Sequence, residues 1–421
     1  MNKHDFLSNN SWIGRSYSYL SSFLDWLLLS SFVGAIVGAI ASLFNIVLQR
    51  VTEFRVQNEW AIWLLPFAGI IIAFLYRNEE KDPLTTNLVV QAVRAERHLP
   101  AKMAPIIFIA TSLTHAFGGS AGREGAALQL GGSLGQMIGD TLQSNRTKKQ
   151  ILIMCGMSAA FSALFGTPLA AAVFSLELAN IGMMNYFALF PCAMSSLIAV
   201  SIARCCGIHA EVFPLENFTL TFGLSLKVII LAILCGSMSI AFCFVLHKAE
   251  HLIHHTLPNR YIRVFVSGCV VIALTLLIGS RDYLGAGMNI IEHAVAGHAV
   301  LYAFALKLLF TAITLGGGFK GGEIVPALFV GATFGFTVAA LLNMPASLGA
   351  ALGMIALFCG VTNCPISSLL LAFELFTFSS PGFFLLAVTI SYMLSGNYSL
   401  YSTQRIIYAK TEPVMVNRSA H

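Results

Sequence analysis

Gly119-Ser-Ala-Gly-Arg-Glu-Gly125 opens an apolar helix at 126–138, and 197 residues later Gly316-Gly-Gly-Phe-Lys-Gly-Gly322 opens another at 327–342. The same offset joins Gly156-Met-Ser-Ala-Ala-Phe161 to Gly353-Met-Ile-Ala-Leu-Phe358, Pro168 to Pro365, and Glu177 to Glu374. A single match of this kind is a coincidence; a set of landmarks at one spacing is a duplication. On this alignment Arg123 faces Lys320 and Gly125 faces Gly322. Gly/Pro-interrupted apolar segments in matching places of two halves are the sequence mark of a transporter, with its site between the halves near the bilayer midplane.

Composition puts the chain in a membrane. Of 421 residues 57% are apolar and 10% charged, with a mean hydropathy of +0.78, whereas a soluble domain carries about 25% charged residues. So few charges cannot cover a soluble core. Residues 26–48 hold no charge and are long enough to cross, and similar runs lie at 59–75, 183–202, 217–246, 264–279 and 382–394. Shorter or interrupted runs at 103–117, 124–139, 151–165, 168–179, 324–342, 345–360 and 364–378 read as broken or re-entrant helices. These are tolerated at membrane depth only when buried in protein or lining a wet cavity. The expected fold class is an all-α polytopic membrane protein of two repeats of broken and tilted helices. The expected organisation is a polar N-terminal segment or surface helix at 1–23, a transport core at 24–407 (halves at about 24–205 and 215–407), and a short polar tail at 408–421 with no soluble domain after it. Residues 1–23 lack an apolar h-region, so no cleavable signal is expected.

The two glycine loops carry the chemistry. A glycine-rich turn followed by a helix presents unpaired N–H groups and the positive end of the helix dipole, which together suit an anion. Arg123 adds charge. Glu124 is either a helix-start carboxylate that steadies the dipole, or a tethered anion that competes with the transported one and leaves when protonated or displaced. Glu323 puts a second carboxylate beside the same site, and intramembrane ionisable groups are often proton relays. Tyr401, in Ser395-Gly-Asn-Tyr-Ser-Leu-Tyr-Ser-Thr-Gln404, is a hydroxyl donor to an anion or an interfacial belt tyrosine. Asn87, in Asp82-Pro-Leu-Thr-Thr-Asn87, is an amide donor or an ordinary N-cap. His247, His251, His254 and His255 share one helical stretch. Without a second ligand cluster they read as a solvated helix end rather than a metal site. The nine cysteines form no CxxC pair, and Cys155, Cys235, Cys243, Cys269 and Cys359 sit in apolar runs as small hydrophobes. The net charge of +5 is spread over the loops and does not suggest nucleic-acid binding. No cofactor is expected.

Gly-Arg-Glu-Gly at 122–125, Gly-Gly-Glu-Ile-Val-Pro at 321–326 and the late Tyr401 together resemble the CLC family of chloride channels and anion/proton antiporters, from about residue 25 to 407. The resemblance implies an all-helical homodimer in the cell's inner membrane, each subunit with its own pathway between inverted halves. It implies that Glu124 is the gating glutamate, that the amides around Gly125, Ala126, Ile324 and Val325 line the anion site, and that Tyr401 is the inner hydroxyl donor. The usual chloride-type Gly-Ser-Gly-Ile-Pro loop is replaced here by Leu84-Thr-Thr-Asn87-Leu. In chloride/proton antiporters the helix after the matching proline carries two adjacent acids; here Glu177 is followed by Leu178. The Gly-Gly-Gly-Phe-Lys-Gly-Gly-Glu loop and Asn87 are similar to the fluoride/proton antiporter branch, with Glu323 standing in for the lost inner acid. Val325 departs from that branch, which usually has Thr there. The expected function is therefore fluoride/proton antiport, with a chloride channel or chloride/proton exchanger of the same fold as the alternative. An intramembrane enzyme is not supported: no HExxH, GxSxG or paired catalytic acids on a spanning helix occur.

Overall fold

The computed structural model describes residues 12–78 and 84–421. The polar start at 1–11, and Asp82 and Pro83 ahead of Asn87, lie outside the described residues. The described residues form two sets of eight helices. The first set is α1 (Trp12–Gln57), α2 (Leu65–Leu75), α3 (Thr86–Val93), α4 (Met103–Phe117), α5 (Glu124–Thr141), α6 (Arg146–Phe165), α7 (Pro168–Glu177) and α8 (Leu189–Cys205). The second is α9 (Phe222–Thr256), α10 (Arg260–Ile278), α11 (Met288–Val295), α12 (Ala303–Gly316), α13 (Ile324–Leu341), α14 (Ala346–Thr362), α15 (Pro365–Leu375) and α16 (Pro381–Leu394). They match one to one, down to the two eight-residue helices α3 and α11. The duplication thus runs through all the described helices.

The register expected from sequence holds only in part. Helices α4, α5 and α6 start 200 residues before α12, α13 and α14, whereas α7 starts 197 before α15. The difference is absorbed because α14 has 17 residues against 20 in α6. In the loops Gly122 therefore pairs with Gly322, and Arg123 is the counterpart of Glu323, not of Lys320. The later landmarks do keep the 197 offset.

Glycines set the closest helix contacts. A Cβ on Gly131 would lie 2.2 Å from the carbonyl oxygen of Gly156, and one on Gly335 would lie 2.1 Å from that of Gly349. Helices approach this closely in lipid because packing, not water exclusion, drives their association, and small residues let backbones touch. The halves also complete each other. Glu374 of α15 accepts the Leu169 and Ala170 amides at the start of α7, at 2.9 and 2.8 Å. Glu177 of α7 accepts the Ile366 and Ser367 amides at the start of α15, at 3.1 and 2.9 Å, and the Ser367 hydroxyl. Each carboxylate satisfies orphan donors of a proline-led helix whose own half supplies no cap.

The halves are inverted. Helix α13 ends two residues before Asn343, whose carbonyl accepts from Lys227 in the first turns of α9. Helix α5 ends on the opposite face, where Asp140 meets His98, and Glu96 nearby meets Arg405 just past Tyr401. The tail is not merely polar coil: β2 (Arg405–Tyr408) pairs in parallel with β1 (Asn180–Ile181) and antiparallel with β3 (Met415–Ser419). Buried Gln404 ties it down, donating to the carbonyls of Leu178 and Thr362 at 2.8 and 2.9 Å. Cys155, Cys192, Cys235, Cys243, Cys359 and Cys364 are buried and free; Cys269, on α10, is exposed and faces outward from the helix packing.

Candidate anion and proton site

The first turns of α5 and α13 meet head to head. The Gly122 amide donates to the Gly322 carbonyl at 2.7 Å, and the Gly322 amide returns the bond to Gly122 at 2.7 Å. A Cβ on Gly322 would sit 2.5 Å from the Gly125 nitrogen, so side-chain-free backbone is required for the two loops to touch. The helix-start amides of Gly125, Ala126, Ile324 and Val325 gather around this bridge, and all four residues are buried. Helix starts leave such amides without intrahelical partners.

Each loop carries one buried carboxylate. Glu124 is fully buried and folds back: Oε2 accepts the Arg123 amide at 3.0 Å, and Oε1 lies 3.4 Å from Arg123 Nε. A Cβ on Gly122 would be wedged between that Oε2 at 2.8 Å and the Val325 side chain at 3.0 Å. The Oε2 of Glu323 would lie 3.1 Å from a Cβ on Gly125, at the start of α5, and it is buried with no hydrogen-bond partner.

Two spaces approach the bridge. A cavity of about 880 Å³ lies on the Arg123 side, with Arg55, His115 and Arg281 among its lining. On the other side a pocket of about 170 Å³ is lined by Glu323, Tyr401, Asn87, Thr86, Gln129 and Lys320, and it adjoins a vestibule of about 710 Å³ that shares Asn87, Lys320 and Glu250. Glu124 lines none of these.

Several sequence candidates gather here. Tyr401 is 1% exposed, and its hydroxyl is buried without a partner. Asn87 is not an N-cap: Thr85 holds that position in α3. The Asn87 Oδ1 instead accepts from the Thr403 amide and hydroxyl at 3.3 and 3.0 Å, tying α3 to the Tyr401 loop. Arg123 is less available than its sequence position suggests. Its Nη1 donates to Asn45 at 2.8 Å and its Nη2 to Glu211 at 2.5 Å, so an anion reaches the guanidinium only by displacing a partner. The histidines of α9 do not gather around a metal position, since among the described residues no group of three or more His, Cys, Asp or Glu is placed to hold an ion.

The structure adds residues that motif reading passed over. Gln129 Nε2 donates to Thr86 Oγ1 at 3.1 Å on the pocket wall. Lys307, fully buried in α12, donates to the carbonyls of Tyr283 and Gly285 at 3.2 and 2.6 Å and so fixes the loop that borders the Arg123-side cavity. A lone lysine in an apolar run was the available signal.

A family model described as voltage gated chloride channel matches residues 84–396. The chain is 32% identical over 399 residues to a chloride/fluoride channel protein of Pseudomonas syringae pv. tomato, covering 91% of this chain and 87% of that protein. It is 25% identical over 393 residues to an H(+)/Cl(-) exchange transporter of Vibrio cholerae, covering 83% of this chain and 81% of that one. Among solved structures, a CLC-type fluoride/proton antiporter superposes with a TM-score of 0.86 at 30% identity, covering 94% of this chain and 99% of that one. Two inverted sets of helices meeting at paired glycine loops, with a family model spanning both, place this chain in the CLC family of anion transporters.

Proposed function

We propose that the chain is a fluoride/proton antiporter. The observation that carries this reading is the 170 Å³ pocket holding Glu323 and Tyr401 together, with a carboxyl oxygen and a hydroxyl that are both buried and unpartnered. Fluoride is small and strongly hydrated, so a site for it needs short, strong donors. Tyr401 supplies a hydroxyl, the helix starts supply amides, and Glu323 supplies an O–H whenever it is protonated. Glu124 then acts as gate and shared proton carrier: it occupies the position an anion must take, and it swings out when protonated. The similarity to a chloride/fluoride channel protein and to a fluoride/proton antiporter supports the same cargo.

The Tyr401 face is read as the cytoplasmic one. Arg94, Arg97, Arg146, Lys149, Arg260 and Arg405 cluster on that side, and positive charge marks the cytoplasmic face of inner-membrane proteins. A homodimer is proposed on a separate argument. Helix α7 has 10 residues, about 15 Å of rise, well short of a hydrocarbon layer of about 30 Å. The bond from the Leu169 amide to Glu374 is nevertheless exposed on the surface of the subunit. A carboxylate exposed on a membrane subunit's surface is costly against lipid; a second copy packed on α7 and α15 covers it.

The test is flux from liposomes, with a fluoride electrode outside and a pH dye inside. Fluoride leaving against protons entering supports the proposal. Chloride moving at least as well as fluoride assigns the chain to chloride instead.

A further inference from the structure

Antiport needs a way for the proton to leave Glu323 toward the Tyr401 face, and the end of α7 does not offer one. Leu178 is buried and apolar, and its carbonyl accepts from Gln404 at 2.8 Å. Glu177 is engaged at the start of α15 through three bonds. The titratable groups that do border the Glu323 pocket include His247 and Glu250 of α9. Both residues also line an open groove of about 470 Å³, whose remaining walls are His251, His254 and His255. Glu250 and His254 further border the 710 Å³ vestibule, so Glu250 belongs to all three spaces.

The position of α9 is fixed at this point. A Cβ on Gly316 would lie 3.1 Å from the Glu250 nitrogen, so α12 packs directly on that turn. His247 Nε2 lies 3.5 Å from the carbonyl of Leu400, the residue before Tyr401.

We propose that Glu250 and His247 of α9 relay protons between Glu323 and the histidine-lined groove, while the anion passes Lys320 and Asn87. This rests on the antiport reading. A carboxylate and an imidazole can each take a proton from the Glu323 carboxyl, directly or through water, and pass it on unchanged in number. Lys320 borders the same pocket, with its ammonium 4.7 Å from the centre of the Tyr76 ring. An ammonium has no acceptor lone pair, so it attracts the anion but receives no proton. The other charges facing Glu250 across the vestibule are Arg97, from the segment between α3 and α4, and Arg260 and Arg263 of α10. All variants are therefore compared at one ionic strength.

The experiment uses full-length protein in fluoride-loaded liposomes, recording fluoride efflux and proton uptake together. For the Glu250→Gln/His247→Gln double variant, proton uptake per fluoride is expected to fall at least about ten-fold, and concentrated imidazole buffer, which enters the groove, is expected to restore it. Lys248→Gln, which lines none of the three spaces, keeps the wild-type ratio. A double variant that couples like the wild type overturns the relay and leaves antiport standing. Loss of both fluxes without imidazole rescue assigns the two residues to packing and also overturns it. A wild-type protein that moves fluoride with no proton uptake removes the antiport reading itself, and the relay with it.

Discussion

Replacing Gly322 with Ala tests whether the glycine bridge closes the site. The new methyl would meet the Gly125 nitrogen at 2.5 Å and the Glu124 nitrogen at 3.0 Å. Both are backbone atoms that cannot rotate away, and ordinary contact needs about 3.5 Å, so the loops must part by about 1 Å. The two 2.7 Å bonds between Gly122 and Gly322 then fail, at about 1 kcal/mol each. Overpacking strain adds about 1–3 kcal/mol, for a total of about 3–5 kcal/mol. A displacement of this size at the reacting geometry costs about a hundred-fold in rate. The assays are unfolding in detergent and fluoride efflux from liposomes. Gly223→Ala serves as the control, because a Cβ there meets nothing within 4 Å. A Gly322→Ala protein within about 1 kcal/mol of wild-type stability, with undiminished efflux, would refute the claim that the bridge sets the site.

Four further outcomes are expected. Glu124→Gln keeps the shape of the proposed gate and removes its titration, so proton coupling is lost and anion turnover altered; unchanged proton pumping in paired flux recordings would contradict the assignment. Glu374→Ala leaves the Leu169 and Ala170 amides without their acceptor, costs about 2–4 kcal/mol, and lowers the dimer fraction seen by cross-linking in lipid. Val325→Thr adds a hydroxyl beside the Glu124 carboxylate, and the fluoride-to-chloride efflux ratio should rise. In the tail, burial pulls the Lys410 ammonium down from its usual range to about 8. Between about 8 and 10.5 the undocked tail binds more protons than the docked one, so docking strengthens as pH rises through that window; the protection of amides over 405–419, taken relative to their intrinsic exchange rates, should rise there in the wild type and lose this pH dependence in Lys410→Met.

The class, the duplication and the two loops were legible because each leaves a strong local trace: charge depletion, glycine clusters, and carboxylates where apolar residues are expected; the inversion of the halves came only with the family resemblance. The run of α12 went unread because Lys307 interrupts it, and α3 and α11, at eight residues each, are too short to give a clear period. The register of the loops was misassigned by three residues, since similarity in α6 and α14 is stronger than in the glycine loops and carried its own offset backward across the length change. Glu177 and Glu374 stood out as landmarks, yet their exchange of caps could not be read, because each bond joins residues about 190 or more positions apart. The tail strands lack apolar alternation. They pair because Gln404 and the chain after it lie along β1, a tertiary circumstance that composition does not encode.

The exchanged caps bear on how the protein is made. While the ribosome has delivered only the first eight helices, the leading amides of α7 have no acceptor and Glu177 is a carboxylate with nowhere to go. The first half therefore waits, incomplete, until α15 emerges. Two separately translated halves would face the same requirement from the outset, each supplying the missing piece of the other, so they should accumulate only when produced together in one cell.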